Sequence, residues 1–396
     1  MGKLIVNQEK IKDIEEMIKI CPFGAIEYID GKIQMNAACK MCKLCVKKGP
    51  KGAIEYIEDQ IKEIDKDEWK GIAVYVDHVK GKIHPVTYEL IGKAIELAEK
   101  INQQVYAVFI GNNILSEAEE ILHYGVDKVF VYDDEELKDF RIESYTSAFE
   151  DFINNNKPTA ILVGATTIGR SLAPRVAARF KTGLTADCTV LEMKENTDLV
   201  QIRPAFGGNI MAQIVTPNSR PQLATVRYKV MEAPERSETA KGEIVTCNVD
   251  KEKLKSGISV IEIKEKIIER GISDAEVIVA AGRGVKSEKD LKIVKELAEA
   301  LDAEFACTRP LIEAGWVDAK RQIGLSGRTV RPKLIITCGI SGAVQFSAGM
   351  NNSDCIISIN TDSKAPIFKI SHYGIVGDIY DIIPQLTEKI KMVKER

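Results

Sequence analysis

Ala281-Gly282-Arg283-Gly284, Thr308-Arg309-Pro310, Gln322-Ile-Gly-Leu-Ser-Gly-Arg328, Gly339-Ile-Ser-Gly-Ala-Val-Gln-Phe346 and Ile359-Asn360-Thr361-Asp362 carry the reading of the chain. Apolar runs of strand length accompany them: Val277 to Ala281, Glu304 to Cys307, Lys333 to Cys338 and Cys355 to Ile359. Glycine and hydroxyl residues at the ends of such runs mark the carboxyl edge of an open α/β sheet, where ligands sit. Glycine lets backbone N–H groups approach a phosphate, and a following helix presents its positive end. Arg283 and Arg309 add fixed charge in the same region. The stretch reads as the site of a large anionic cofactor.

Working outward, helical spacing is expected over Ser287 to Leu301 and Gly342 to Met350. A terminal helix from Val376 is expected to break at Pro384. Upstream, strands at Ile72 to Asp77, Val105 to Gly111, Lys128 to Tyr132 and Thr159 to Gly164 alternate with helices. Those helices are expected over Val86 to Lys100, Ser116 to His123, Tyr145 to Asn154 and Ser171 to Phe180. Such alternation makes a doubly wound sheet. Ile202 to Ala212 reads as a hairpin-rich ending, and Gln222 to Tyr228 as the last strand of that domain. Gly164-Ala-Thr-Thr-Ile-Gly169-Arg170 follows a strand and opens a helix, so it is either a phosphate loop or a tight docking turn. Arg170 stands where a P-loop has lysine, which favours the turn. Asp65 to Gly71 and Ala233 to Gly242 are polar linkers. The expected domains are 1–66, 67–245 and 246–396.

Composition excludes several classes. The 396 residues are 45% apolar with a net charge of -3. That is enough for sizeable cores and gives no basic field for nucleic acid. Met1 to Ile20 is charged and is no signal peptide, and no apolar run reaches membrane-span length. Four of nine cysteines lie before Val46 and five are scattered singly. An odd count without an export signal argues against a disulfide framework and fits a reducing cytoplasm. The four histidines share no metal spacing.

Cys39-Lys-Met-Cys42-Lys-Leu-Cys45 is C-x2-C-x2-C, the spacing that wraps three corners of an iron–sulfur cube. Cys21-Pro-Phe-Gly-Ala-Ile-Glu-Tyr-Ile-Asp and Gly49-Pro-Lys-Gly-Ala-Ile-Glu-Tyr-Ile-Glu form an internal repeat in register over ten positions. The doubled layout resembles two-cluster ferredoxins, in which the Cys before Pro ligates the cluster of the other half. Here the first half keeps only Cys21. The second keeps Cys39, Cys42 and Cys45 and has Gly49 where its Cys-Pro cysteine belongs. The losses remove one cluster and leave the four ligands of the other, so one [4Fe–4S] cluster is expected. Zinc or buried thiols are the alternatives. Ile26, Tyr28, Ile33 and Ile54, Tyr56, Ile61 are expected to form two short hairpins over the cluster.

The motifs from Gly282 to Asp378, with Glu313-Ala-Gly-Trp316, Ala348-Gly-Met350 and Ala365-Pro-Ile-Phe368 among them, resemble the α subunit of electron-transferring flavoproteins. The resemblance covers Gly71 to the C-terminus. It implies two doubly wound α/β domains behind a ferredoxin-like α+β domain, the second of them binding FAD. Carried over residue by residue, it implies a site lined by Arg283, Thr308, Arg309, Ile323, Gly324, Leu325, Ser326, Ser341, Gly342, Ala343, Val344, Gln345, Phe346, Asn360 and Asp378. Ser341, Gly342 and Ala343 would supply pyrophosphate donors, Ser326 a hydroxyl near flavin N5, and Arg309 a cation over the ring. Many members have His where Phe346 stands, and Phe346 donates no hydrogen bond.

The family is heterodimeric. The resemblance implies a β subunit with a second FAD and the NADH site, a flavin dehydrogenase partner, and exchange with ferredoxin. Front domains of this type occur in anaerobic members linked to lactate dehydrogenase and to caffeyl-CoA reductase. The expected role is single-electron transfer in an electron-bifurcating oxidoreductase, with lactate dehydrogenase the first choice of partner. An acyl-CoA reductase partner, or a plain carrier role, is the alternative. Gly282-Arg-Gly-Val-Lys-Ser287 departs from the dinucleotide fingerprint, so NADH is not assigned to this chain.

Overall fold

The computed structural model describes residues 3–57, 64–205, 210–264 and 271–394. Two units separate, Met1–Glu63 and Ile64–Arg396. In the front unit, β1 (Lys3–Val6), α1 (Ile14–Lys19), β2 (Ile26–Ile29), β3 (Lys32–Met35), α2 (Leu44–Lys48) and β4 (Ile54–Ile57) surround a small core of Met17, Ile26, Ile33, Cys45 and Ile54. The first expected hairpin is present as β2–β3, with Tyr28 opposite Ile33. Of the second, only the Ile54 and Tyr56 arm is described: β4 pairs antiparallel with β1, Ile54 opposite Val6. Ile61 lies outside the described residues. A partner near the chain start supplies the ladder that the repeat alone did not indicate.

The second unit holds two parallel sheets. In the first, β5 (Ile72–Tyr75) is followed by a short hairpin of β6 (His78–Val79) and β7 (Lys82–Ile83), then α3 (Val86–Ile101) and β8 (Val105–Gly111). Next come α4 (Leu115–Ile121), β9 (Lys128–Asp133), α5 (Ile142–Asn156), β10 (Ala160–Gly164) and α6 (Thr167–Arg179). β11 (Leu184–Cys188) leads to a three-stranded antiparallel sheet of β12 (Val190–Met193), β13 (Leu199–Ala205) and β14 (Ile210–Ile214). β15 (Gln222–Val226), β16 (Glu243–Cys247) and α7 (Lys251–Leu254) complete the half. The seven-stranded order is β11-β15-β10-β5-β8-β9-β16.

The near-continuous apolar runs follow from burial on both faces: β5, β10 and β15 are buried throughout. On α3, Leu90, Ile91, Ala94, Leu97 and Ala98 face the sheet at helical spacing, and left-handed Asn102 ends the helix. Each such Leu or Ile contributes about 1.5–3 kcal/mol. β15 is not the last strand as expected: β16 pairs parallel with β9, Ile244 opposite Val129. The expected boundary between 245 and 246 falls inside that strand.

The second sheet is built from β17 (Val277–Ala281), α8 (Leu291–Ala300), β18 (Glu304–Cys307), α9 (Arg309–Glu313), β19 (Leu334–Cys338), α10 (Val344–Ser347), β20 (Ile356–Asn360), β21 (Tyr373–Val376) and α11 (Ile379–Lys394), in the order β18-β17-β19-β20-β21. Two expectations are corrected here. Val376 ends a strand rather than starting a helix; all four residues of β21 are exposed, so no apolar run announced it. The terminal helix also runs through Pro384 unbroken. An interior proline costs about 3 kcal/mol. Packing Ile379 and Ile383, with Leu386 and Ile390, into the core it shares with α8 offsets that cost.

Candidate functional site

In the second sheet the chain runs from β17 to β18 in one direction and through β19, β20 and β21 in the other. The switch point therefore lies between β17 and β19. At their carboxyl ends, backbone packs on backbone: a Cβ on Gly284 would lie 2.7 Å from Gly339 Cα, and one on Gly282 2.5 Å from Gly339 O. Gly339 and Gly342 are left-handed, with φ of 65° and 81°, which glycine adopts at little cost. The loops that fan out from this point enclose a cleft of about 610 Å³, within the range of small-molecule and cofactor sites.

Twelve of the residues expected from sequence line that cleft: Arg283, Thr308, Arg309, Ile323, Gly324, Leu325, Ser326, Ser341, Ala343, Gln345, Phe346 and Asn360. Three are not among its lining. Gly342 forms the tight turn against Ile367, Val344 faces outward, and Asp378 accepts the Tyr380 N–H at the start of α11. Gly284, Pro310, Gln322, Gly339 and Ile340 also line it. All five stand within the motifs that the sequence singles out.

Side-chain contacts define what the cleft presents. Asn360 donates to Ile340 O at 2.8 Å and fixes the β19 loop. Thr308 starts α9 without using its hydroxyl as a cap. Gln322 Nε2 lies 2.8 Å from Ser326 Oγ, which leaves the serine proton to donate elsewhere. Arg283 has no carboxylate partner among the described residues. Arg309 is largely exposed and pairs with Glu313 at 2.8 Å. Phe346 is buried and gives the cleft an apolar wall. Burial pushes the Cys307 and Cys338 thiols up to about 12, so neither supplies a thiolate. A backbone cradle that only glycine fits, two cationic side chains and hydroxyl donors suit a dinucleotide with a pyrophosphate and a planar ring.

In the front unit, Cys21, Cys39, Cys42 and Cys45 line one small pocket with Leu4, Pro22, Phe23 and Met35. Met41 and Lys43 are left-handed, with φ of 53° and 59°, and turn the chain between successive cysteines. The Ala25 N–H lies 3.3 Å from Cys21 Sγ. Burial, reinforced by Cys39 and Cys42, pushes the Cys45 thiol up although nearby backbone N–H groups oppose it. Cationic iron reverses that preference where thiolates ligate it. Gly49, at the vacated ligand position, is closed: its Cβ would lie 2.5 Å from Cys45 O. No group of three or more His, Cys, Asp or Glu among the described residues is arranged to hold a metal ion. Nδ1 of each of the four imidazoles takes part in a backbone hydrogen bond.

The first sheet switches direction between β5 and β10. The Thr166 hydroxyl donates across that point to Asp77 and also caps Gly169 N–H at 3.0 Å. Helix α6 begins at Thr167, earlier than expected, and a Cβ on Gly169 would lie 1.9 Å from Gly164 O. The glycine stretch at 164–169 is thus a docking turn. Among the described residues, no helix is long and apolar enough to cross a membrane.

Comparison with known proteins supplies the remaining observations. Residues 72–252 match the electron transfer flavoprotein domain, and residues 271–351 the electron transfer flavoprotein FAD-binding domain. The chain is 61% identical over 391 residues to the lactate dehydrogenase (NAD(+),ferredoxin) subunit LctC of Acetobacterium woodii, covering 98% of this chain and 93% of that one. It is 45% identical to the electron transfer flavoprotein subunit alpha of Megasphaera elsdenii, covering 84% of this chain and 99% of that one. Protein FixB of Azorhizobium caulinodans is 41% identical over 82% of this chain and 89% of its own. The portion left unmatched by the Megasphaera protein is about the size of the front unit.

Proposed function

The chain belongs to the electron transfer flavoprotein α-subunit family, and from that premise we propose that it passes single electrons in a bifurcating lactate dehydrogenase complex, holding one FAD in the cleft and one [4Fe–4S] cluster on Cys21, Cys39, Cys42 and Cys45. When bound, the two groups supply the redox chemistry. Arg283 and Arg309 would set positive charge beside the phosphates and the ring. Backbone N–H groups at Ser341 and Ala343, which line the cleft, would hold the pyrophosphate. Ser326 would donate at the ring edge, and the buried Phe346 would exclude water from it. Hydride exchange with NADH belongs to a β subunit carrying a second FAD, and lactate oxidation to a flavin dehydrogenase; ferredoxin is the third redox partner.

One observation carries the reading to lactate and ferredoxin: the match to LctC takes in 98% of this chain and so the front unit, whereas 84% of this chain accounts for 99% of the Megasphaera α subunit. The test uses the complex purified anaerobically with its natural partners. About four irons per chain are expected, since four thiolates hold one cube. Lactate-dependent NAD⁺ reduction should respond to ferredoxin. Cys42→Ala should lose the iron, keep the flavin and lose the ferredoxin response. Stoichiometric zinc would remove the cluster, and turnover indifferent to ferredoxin would leave a plain carrier.

A further inference from the structure

Resting on the assignment of FAD to the cleft, we propose that Arg227, a residue of the first α/β half, is a positioning residue for the flavin: it fixes the Leu325–Ser326 peptide so that the Ser326 N–H is presented to the cofactor.

Arg227 follows β15 directly, and its side chain is about four-fifths buried. One arm, Nη2, donates to Asp187 Oδ2 at 2.8 Å; Asp187 also accepts from Arg170 at 3.0 Å. The other arm, Nη1, donates to Leu325 O at 2.8 Å. The turn that receives it is closed internally and tied to its own half by backbone bonds. Ile323 N donates to Cys307 O, Gly324 N to Arg328 O, and Leu325 N to Gln345 O. Leu325 O, by contrast, is held from the other half of the molecule.

A trans peptide sends its C=O and N–H in opposite directions. With Leu325 O turned to Arg227, the Ser326 N–H turns away from the first half. Among the described residues it has no acceptor, and Ser326 lines the cleft. The Ser326 hydroxyl is oriented by Gln322, so Ser326 presents two oriented donors. A charge-assisted bond to a carbonyl is roughly twice as strong as a neutral one. It polarises the peptide and makes the N–H on its far side a better donor. Reduced flavin carries more negative charge than oxidised flavin, so a better donor favours reduction.

The experiment measures the potential of the cleft flavin, identified as the one that Gly324→Val removes, in the complex with the β partner. Arg227→Met is expected to shift the reduction equilibrium about tenfold toward oxidised flavin, about 30 mV for a two-electron couple. Arg227→Lys, which keeps the charge but loses the fork, should recover part of it. Asp187→Asn, which leaves the bond to Leu325, should shift it less than about threefold. An unchanged potential in Arg227→Met, or an equal shift in Asp187→Asn, overturns the proposal in favour of a domain tie. If Arg227→Met does not assemble, Arg227→Lys alone decides: a wild-type potential overturns it. Absence of flavin from the unaltered cleft would instead remove the assignment beneath it.

Discussion

The two parallel sheets of the second unit share an architecture and end differently at their switch points. In the second, glycines after β17 and β19 pack on one another and the loops stand apart around a cleft of about 610 Å³. In the first, Asp77 and Thr166 bridge the corresponding gap and α6 is drawn onto Gly164. The same glycine-rich punctuation thus serves a ligand in one sheet and helix docking in the other. What separates them is where the polar groups point. At the first switch point, carboxylate, hydroxyl and helix N–H satisfy one another. At the second, the Thr308 hydroxyl, the Arg283 guanidinium and the Ser326 N–H have no partner among the described residues.

Breaking the open end should have the largest effect. Gly324 has φ +136°, and its Cβ would lie 2.5 Å from Gln345 O. Gly324→Val is expected to weaken flavin retention on the order of a hundredfold or more, since a valine is strained at that angle. Flavin content after gel filtration reads this directly. The matching change in the closed end, Gly169→Val, forces a Cβ onto Gly164 O. It should cost about 3 kcal/mol of stability, while the folded fraction keeps the cleft flavin and its potential.

Glu89 sharpens the contrast through pH. Its carboxylate sits on α3 and accepts N–H bonds from Lys229 and Met231, beyond β15. Burial raises its pKa to about 7 from an ordinary 4.5, although those N–H groups oppose the shift. The folded state therefore takes up a proton before the unfolded state does, and stability is gained as pH falls through 7 toward 4.5. The stability advantage of wild type over Glu89→Gln should grow by roughly 2 kcal/mol between pH 8 and pH 5.5. A pH-independent difference would show that the burial penalty is not expressed. Arg309→Ala is expected to have the smallest effect, because its side chain is exposed and paired with Glu313. The cleft flavin potential should fall by less than about 59 mV for one electron, a tenfold change in equilibrium.

The sequence revealed most where chemistry forces residue type. The glycines and hydroxyls after β17, β18 and β19 located the cleft, because a backbone cradle and fixed donors leave few substitutes. Three kinds of feature escaped. β21 is exposed along its length and so lacks the pattern of a buried strand, and β4 pairs with β1, a segment distant in sequence. Pro384 breaks a local rule that packing overrides. Arg227 and Glu89 act on backbone groups distant in sequence, at Leu325 and Met231, and no spacing announces such contacts.

Hydrogen exchange on the complex with and without its flavin tests the central claim most directly. FAD at the open switch point should slow exchange at 323–326 and 339–346 by an order of magnitude or more, with 164–170 unchanged. Protection at 164–170 with none at 323–326 would place the flavin at the other sheet and contradict the account.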